Sequence, residues 1–292
     1  MLHYSELPPP PELSPWIECF WFMRGAASPG RPDRVLPDGC VEIVLNLADP
    51  FRQVDGPDLG LQPRQLLAGP MTRHMLIQAC GRIDLVGIRL RPGGASAFFP
   101  IPLIELQDQA AALDELECQL PRDLWERLGN APSPAARDAL LAETLLRACR
   151  PQHTDQRVQR VCSWMSLHEG AVPVDSLARR SGISTRTLER LFLRQVGVGP
   201  KQLQRILRFQ KTIRRAEGRD PSSLRDSAFD AGYYDQSHFL KDFHTFAGVP
   251  PSVFFAADEN RMSEAFTSGK SSAGSACIPA GSGAEVRSGA EA

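Results

Sequence analysis

Val174-Asp175-Ser176-Leu177-Ala178-Arg179-Arg180-Ser181-Gly182-Ile183-Ser184-Thr185-Arg186-Thr187-Leu188-Glu189-Arg190-Leu191-Phe192 is the stretch that decides the C-terminal third of this chain. It reads as a helix over 174–180, a tight turn at Ser181-Gly182-Ile183, and a second helix that Ser184 is placed to N-cap. Ala178 is small enough to let the two helices approach, and Gly182 permits the sharp turn. Leu177, Ala178, Ile183, Leu188, Leu191 and Phe192 fall on the inner side. That leaves Thr185, Arg186, Glu189, Arg190 and Arg194 pointing outward, with Arg186 and Arg190 on one side at i and i+4.

The pattern recurs fifty residues later. Leu224-Arg225-Asp226-Ser227-Ala228 leads to a turn around Gly232 and then to Asp235 through Phe243. Ser223 and Asp226 have the Ser-x-x-Asp spacing of a capping box. Leu224, Ala228, Phe239 and Phe243 face inward; Gln236, Ser237, Leu240 and Lys241 face out. Between the units, Lys201 to Arg215 predicts one helix, basic at Lys201, Arg205, Arg208, Lys211, Arg214 and Arg215 and apolar at Leu203, Ile206, Leu207 and Ile213. One helix-turn-helix pattern is weak evidence; two joined by a basic helix are strong.

These residue types suit duplex DNA. The second helix of such a unit lies in the major groove, and two readers about 34 Å apart enter successive groove segments on one face of the duplex. Arg pairs bidentately with guanine, Glu accepts from cytosine, Gln suits adenine, and Lys suits guanine or phosphate. The candidate contact set is therefore Thr185, Arg186, Glu189, Arg190, Arg194, Lys201, Arg205, Gln236, Ser237 and Lys241. Phosphate contact ranks ahead of base readout for the cations among them. Asp242 is expected to add a negative charge near the duplex, which would leave the first unit the sharper reader.

Charge supports the division. Across 292 residues the formal net charge is only −1. Residues 155–257 carry 16 Lys+Arg against 10 Asp+Glu, residues 1–154 carry 14 against 19, and residues 258–292 carry 3 against 5. A basic C-terminal domain behind an acidic N-terminal one fits a DNA reader attached to something else. No apolar run approaches the ~18 residues of a membrane span. The first residues, Met1-Leu2-His3-Tyr4-Ser5-Glu6, have neither a basic start nor an apolar core, so no secretion signal is expected. Seven scattered cysteines without a Cys-x-x-Cys pair suit a reducing cytosol rather than a disulfide scaffold or zinc site.

The first 100 residues read as short strands. Residues 1–15 are proline-rich and expected to lie extended over the surface. Trp16 to Met23 is apolar and aromatic, and Val41, Ile43, Leu45 and Leu47 share one face at period two. Met75 to Ala79 and Leu85 to Leu90 suggest a hairpin through Cys80-Gly81-Arg82. Frequent turn residues favour a small β-barrel or sandwich. Ala95 to Phe99 looks helical, and Leu106, Ala110, Leu113, Leu116 and Leu120 repeat at the spacing of a helix face, continued by Leu124, Trp125 and Leu128. A further amphipathic helix runs from Ala136 to Ala148. These helices are either dimer contacts or cover for the strands.

Candidate chemistry in this region is thin. Only His3 and His74 precede residue 150, so a metal site is not expected. Cys40, after Pro37-Asp38-Gly39, is either a reactive thiol or, more in keeping with its surroundings, a structural cysteine. Arg91 before Gly93-Gly94 could hold an anion, although a strand-to-helix turn accounts for the glycines as well. Asp38 and Glu42 either serve a ligand pocket or close a turn.

Residues from about 172 to 255 resemble the DNA-binding domain of the AraC/XylS family of bacterial transcription regulators. The matching elements are Leu177-Ala178, Ser184 through Phe192, Gly197-Val198-Gly199-Pro200, Gly232 through Phe239, and the closing Phe243, Phe246 and Gly248-Val249-Pro250-Pro251. Ser227 stands where the family has an apolar residue, and Leu240-Lys241-Asp242 replaces a Ser-Arg-Ala type. Arg34 through Ile43, Gly69-Pro70 and Val86 through Gly94 resemble a domain found fused to such regulators, one without an assigned ligand.

The expected fold is thus α+β: a β-rich sensing domain over 1–100, a helical linker or dimerisation region over 101–154, an all-α double helix-turn-helix domain over 155–257, and a disordered tail over 258–292. The resemblance implies a cytoplasmic, nucleoid-associated transcription regulator without a cofactor. It implies double-stranded DNA, a small-molecule effector and RNA polymerase as partners, a homodimer, and no membrane. The alternative is a bifunctional regulator whose N-terminal domain does chemistry such as DNA repair or thiol-based sensing.

Overall fold

In a computed structural model the protein is described at residues 2–26, 32–56, 59–216, 232, 233, 235–256 and 276–278. Its N-terminal part is built on β1 (Leu2–Leu7), β2 (Ile17–Ala26), β3 (Asp33–Val35), β4 (Val41–Asn46), β5 (Phe51–Gln53), β6 (Gly60–Leu61), β7 (Gln65–Ala68), β8 (Met75–Ala79), β9 (Arg82–Leu90) and β10 (Ala110–Ala112). With β11 (Ala276–Ile278) these form two antiparallel sheets, ordered β10-β7-β4-β9-β2-β1-β11 and β3-β8-β5-β6. Neither sheet closes on itself, so of barrel and sandwich the layered arrangement is the one found.

Period-two patterning explains the layers. On β2, Cys19, Trp21 and Met23 face the smaller sheet, where they meet Phe51 and Ile77. Phe20, together with Ile43 and Leu45 of β4 and Val86, Ile88 and Leu90 of β9, faces the other way. That second face is covered by Phe99, Leu103, Leu124, Leu128, Leu141 and Leu145. Three layers result: small sheet, large sheet, helices. Trp21 lies opposite Gly87, and a Cβ on Gly87 would come within 1.8 Å of the indole, so only glycine fits beneath that ring.

Several sequence expectations need correction. Leu2–Leu7 is not surface cover but a strand paired with β2, with Tyr4 only 2% exposed. The segment at Cys80-Gly81 is not a hairpin turn. β8 pairs with β3 and β5 while β9 pairs with β2 and β4, so the chain crosses there between sheets. Asp49 fixes the crossing by accepting from the Arg82 N–H at 2.7 Å. Residues 106–120 do not form a helix. Leu106 closes the 3-10 turn Leu103–Leu106, and beyond it come the edge strand β10 against β7 and a 3-10 turn at Leu113–Glu115. Asp108 breaks the helical path: it sits at φ 57, and its carboxylate accepts from the Thr72 N–H and hydroxyl, both at 2.6 Å. Ala95–Ala97 is a 3-10 turn.

True helices begin at α1 (Leu124–Gly129) and α2 (Pro134–Ala148), the latter N-capped by Ser133. Leu141, Leu145 and Ala148 of α2 lie in the large sheet's core, so the 101–154 segment covers the strands. The C-terminal part contains α3 (Gln156–Leu167), α4 (Val174–Arg180), α5 (Thr185–Gln195), α6 (Pro200–Ala216), α7 (Gln236–Ala247) and α8 (Pro251–Ala256). Its core has two lobes joined by α6. Leu203 belongs to the lobe of Val161, Leu177, Leu188 and Phe192. Ile206, Phe209 and Ile213 belong to the lobe of Phe239, Phe243, Phe246 and Phe254. Of the tail over 258–292, β11 is the described part, paired with β1.

Candidate nucleic-acid interface

The first unit folds as its pattern requires. α4 and α5 bracket a turn in which Gly182 takes φ 67. Ser184 accepts from the Thr187 N–H at 3.1 Å, one of the otherwise orphaned amides of α5. Leu188 and Phe192 are fully buried against Leu177 and Ala178. The opposite face leaves Arg186, Glu189, Arg190 and Arg194 exposed. Thr185 is half-buried, and its hydroxyl donates to Asp175 at 3.2 Å, tying the start of α5 to α4. Arg180 stacks on Trp164, 3.4 Å from the ring centroid, bracing α4 against α3.

In the second unit the described helix is α7. Asp235 caps it, accepting from the His238 N–H at 2.7 Å. The sequence reading missed this cap, although an Asp three residues ahead of that amide was the available signal. Gln236, Ser237, Leu240 and Lys241 are exposed, while Phe239 and Phe243 are buried. Leu224–Ala228 and the Ser223/Asp226 box lie outside the described residues.

Asp242 is not where a repulsive charge would be. It is 1% exposed and turned inward, 2.7 Å from Arg205 Nη2 and 3.8 Å from His238 Nε2. Helical geometry explains the correction: Asp242 is next to Phe243 and three residues past Phe239, on the buried side. The expectation for Arg205 changes with it. Arg205 spends two nitrogens on Asp242, donates a third to Gln202 at 2.8 Å, and lies over the Phe246 ring.

Other cations of α6 are similarly engaged. Lys211 is 2.8 Å and Arg214 3.5 Å from Glu169, and Arg208 lies over Tyr233. Burial acts against the Glu169 charge, but the Lys211 hydrogen bond and the nearby cations hold its carboxyl below the usual range. Lys201, in the first turn of α6, is exposed. The basic face of this helix is therefore largely internal glue, and the outward cations cluster on α4, α5, the start of α6, and Lys241.

Between the domains, Phe99, Pro100, Ile101, Gln152–Gln156, Leu191, Arg194 and Gln195 line a cleft of about 640 Å³. In the N-terminal domain, Asp38 closes its turn by accepting from the Cys40 N–H at 2.8 Å, and also lies 3.6 Å from Arg89. Arg89 is 1% exposed; burial works against its charge, but Glu42 at 2.8 Å and Asp38 hold its pKa well above the ordinary value. Cys40 is buried, and burial pushes the Cys19 thiol up to about 12. Arg91 donates to the Ser14 carbonyl at 2.9 Å beside a turn in which Gly93 takes φ 83, which is the turn reading rather than the anion site.

Residues 177–257 match the family model described as a helix-turn-helix domain, and residues 5–112 match a domain of unknown function. The HTH-type transcriptional activator RhaS of Escherichia fergusonii is 29% identical over 152 residues, covering 48% of this chain and 54% of RhaS. The chain thus spans about half the length of the curated relative it matches. A 1.65 Å structure of ToxT from Vibrio cholerae aligns at 10% identity over 80% of this chain and 98% of ToxT, with a TM-score of 0.47. Unsaturated fatty acid bound ToxT aligns at 10% identity over 87% and 94%, with a TM-score of 0.43. The chain thus carries a helix-turn-helix domain over residues 177–257 behind a domain of unknown function over residues 5–112, and its double-unit signature is similar to that of the AraC/XylS regulators.

Proposed function

We propose that this chain is a sequence-specific DNA-binding transcription regulator whose α5 and α7 read successive major-groove segments. The observation that carries this is the outward face of α5. Its buried side locks onto α4, and Arg186, Glu189, Arg190 and Arg194 stand exposed on the other. Arg186 and Arg190 are placed for guanine or phosphate, Glu189 for cytosine, and Arg194 and Lys201 for phosphate. On α7, Gln236 and Ser237 are placed for base edges and Lys241 for guanine or phosphate.

RhaS is named a transcriptional activator, and this similarity supports a role in promoter control with RNA polymerase. A small-molecule effector and a second copy of the chain complete the proposed partners, with the cytoplasm and nucleoid as the site of action. The interdomain cleft has a volume in the range of small-molecule sites. The test is binding of the full chain to a fluorescent duplex across a salt series. The logarithm of the affinity should fall linearly with log salt, with a slope that counts the phosphates neutralised. Binding indifferent to salt would overturn the reading.

A further inference from the structure

We infer that the N-terminal domain is a clamp that grips both reading units at once, with the Arg34–Gly39 strip as its docking face on α6 and α7. Its consequence for DNA rests on the function proposed above; the clamp itself does not.

The strip is built into the second unit. Leu36, 7% exposed, belongs to the same buried cluster as Ile206, Phe209, Phe243 and Phe246. Arg34 Nη1 donates to the Ala247 carbonyl at 2.6 Å, in the last turn of α7, where a cation also complements the helix dipole. The Gln210 side chain, 5% exposed on α6, donates to the Pro37 carbonyl at 2.8 Å. A buried amide needs such a partner, and here it lies in the other domain. Gly39 rests against Leu203, where a Cβ would come within 2.6 Å of Cδ1. His74 packs on Gly248, the left-handed C-cap of α7, leaving no room for a side chain there.

The same domain holds the first unit at a separate point. Gly197, just after α5, abuts Pro70 and the Leu103 carbonyl; a Cβ there would lie 2.4 Å and 2.7 Å from them. Ser96 donates to the Gln195 carbonyl at 3.4 Å. One sheet-based body therefore touches the C-terminal ends of both α5 and α7 and the middle of α6. Arg34, Leu36, Pro37, Gly39 and Pro70 carried no individual role in the sequence; docking accounts for them together. A rigid body fixed at three points on two readers sets their separation and relative tilt. It thereby selects the spacing between the two DNA elements they can occupy at once.

The test uses the full-length chain as wild type, Gln210→Ala, and Arg34→Ala/Gln210→Ala, each checked for folding by circular dichroism. Hydrogen exchange is followed by mass spectrometry, and each protein is also used to enrich sequences from a randomised duplex pool. The clamp predicts at least tenfold faster exchange at the end of α7 in the double variant, a smaller change in Gln210→Ala, and no change in α4. It also predicts that the double variant enriches elements at more than one spacing where wild type enriches one. Unaltered exchange with unaltered spacing overturns it. If wild type enriches no sequence but exchange rises at α7 as expected, the DNA reading fails and the clamp stands. If the double variant does not fold, the exchange comparison is made on Gln210→Ala alone, with the same two outcomes.

Discussion

The two reading units differ in what builds them. The first has a local core: Leu177, Ala178, Leu188 and Phe192 are aliphatic but for one ring, and the buried cluster they join comes from residues 158–203. The second is a stack of aromatic rings, Phe209, Phe239, Phe243 and Phe254, into which a distant Leu36 is inserted. It also carries the buried Asp242–Arg205 pair, for which the first unit has no counterpart among the described residues. Local pattern is enough to specify a unit of the first kind. A unit of the second kind depends on partners hundreds of residues away in sequence, and its stability is therefore open to changes in the other domain.

The sharpest way to break this comparison is at the buried pair. Removing Arg205 leaves Asp242, 1% exposed, without its closest cation. Breaking one side of a buried pair costs about 3–5 kcal/mol, because the remaining charge is uncompensated. Arg205 is itself about a third exposed, so Arg205→Ala should lower the unfolding free energy of the full chain, read from its urea midpoint and slope, by up to that amount, and Asp242→Ala added to it should restore part of the loss. Arg186→Ala, on the exposed face of α5, should stay within about 0.5 kcal/mol of wild type. Equal effects from the two would mean that the pair at Asp242 is solvated and the second unit no more internally committed than the first.

How much of this could be read in the sequence follows the same division. The boundaries of α4 and α5, the Ser184 cap and the exposure of Arg186, Glu189, Arg190 and Arg194 were legible, because each depends on neighbours within a few turns; Thr185, half-buried, was not. Asp242 was misread because its partner is 37 residues away and its orientation depends on Phe239 and Phe243 being the packed face. Residues 106–120 imitated a helix because Leu and Ala recurred at three and four. The edge of β7 and the Thr72–Asp108 hydrogen bonds, both non-local, decided otherwise. Strand β4 showed in its period-two pattern, and β2, β8 and β9 as apolar segments between turn signals, but pairing partners did not, since such patterns fix a strand or a face and not a neighbour. Leu36 offered no local signal at all: a leucine before Pro-Asp-Gly looks like any turn-flanking residue.

Reading strength sharpens the comparison next. Arg186→Ala or Arg190→Ala should cost ~1–3 kcal/mol at the preferred site and relax base preference there. Gln236→Ala should cost less, since a neutral amide on α7 adds no charge to its contact. Competition of each variant against a randomised operator library measures this. A larger loss of specificity from Gln236→Ala or Lys241→Ala would place the dominant reader on α7.

Capping gives a smaller effect and a control on folding. Ser184→Ala and Asp235→Ala each remove a side-chain acceptor from a helix N-terminus, at about 1 kcal/mol. The Asp235 loss should be the larger, because its charge also favours the positive end of α7. Thermal unfolding of the two variants, side by side at low salt, gives the order. Raising the salt should shrink the difference, and an unchanged gap would remove the dipole from the explanation.

The smallest effect separates outward from internal cations on α6 itself. Lys201 is exposed at its first turn, whereas the Lys211 side chain is 13% exposed and 2.8 Å from Glu169. If Lys201 meets a phosphate, Lys201→Ala should weaken binding to all duplexes alike and reduce the slope of log affinity against log salt by about one unit. Lys211→Ala removes the same formal charge from the same helix, yet should leave that slope unchanged, because its ammonium releases no counterion from DNA. The two titrations, run on one duplex of arbitrary sequence, need no knowledge of the operator. A matching drop in slope for Lys211→Ala would mean that the whole basic helix lies along the phosphates and that its internal ion pairs open on binding.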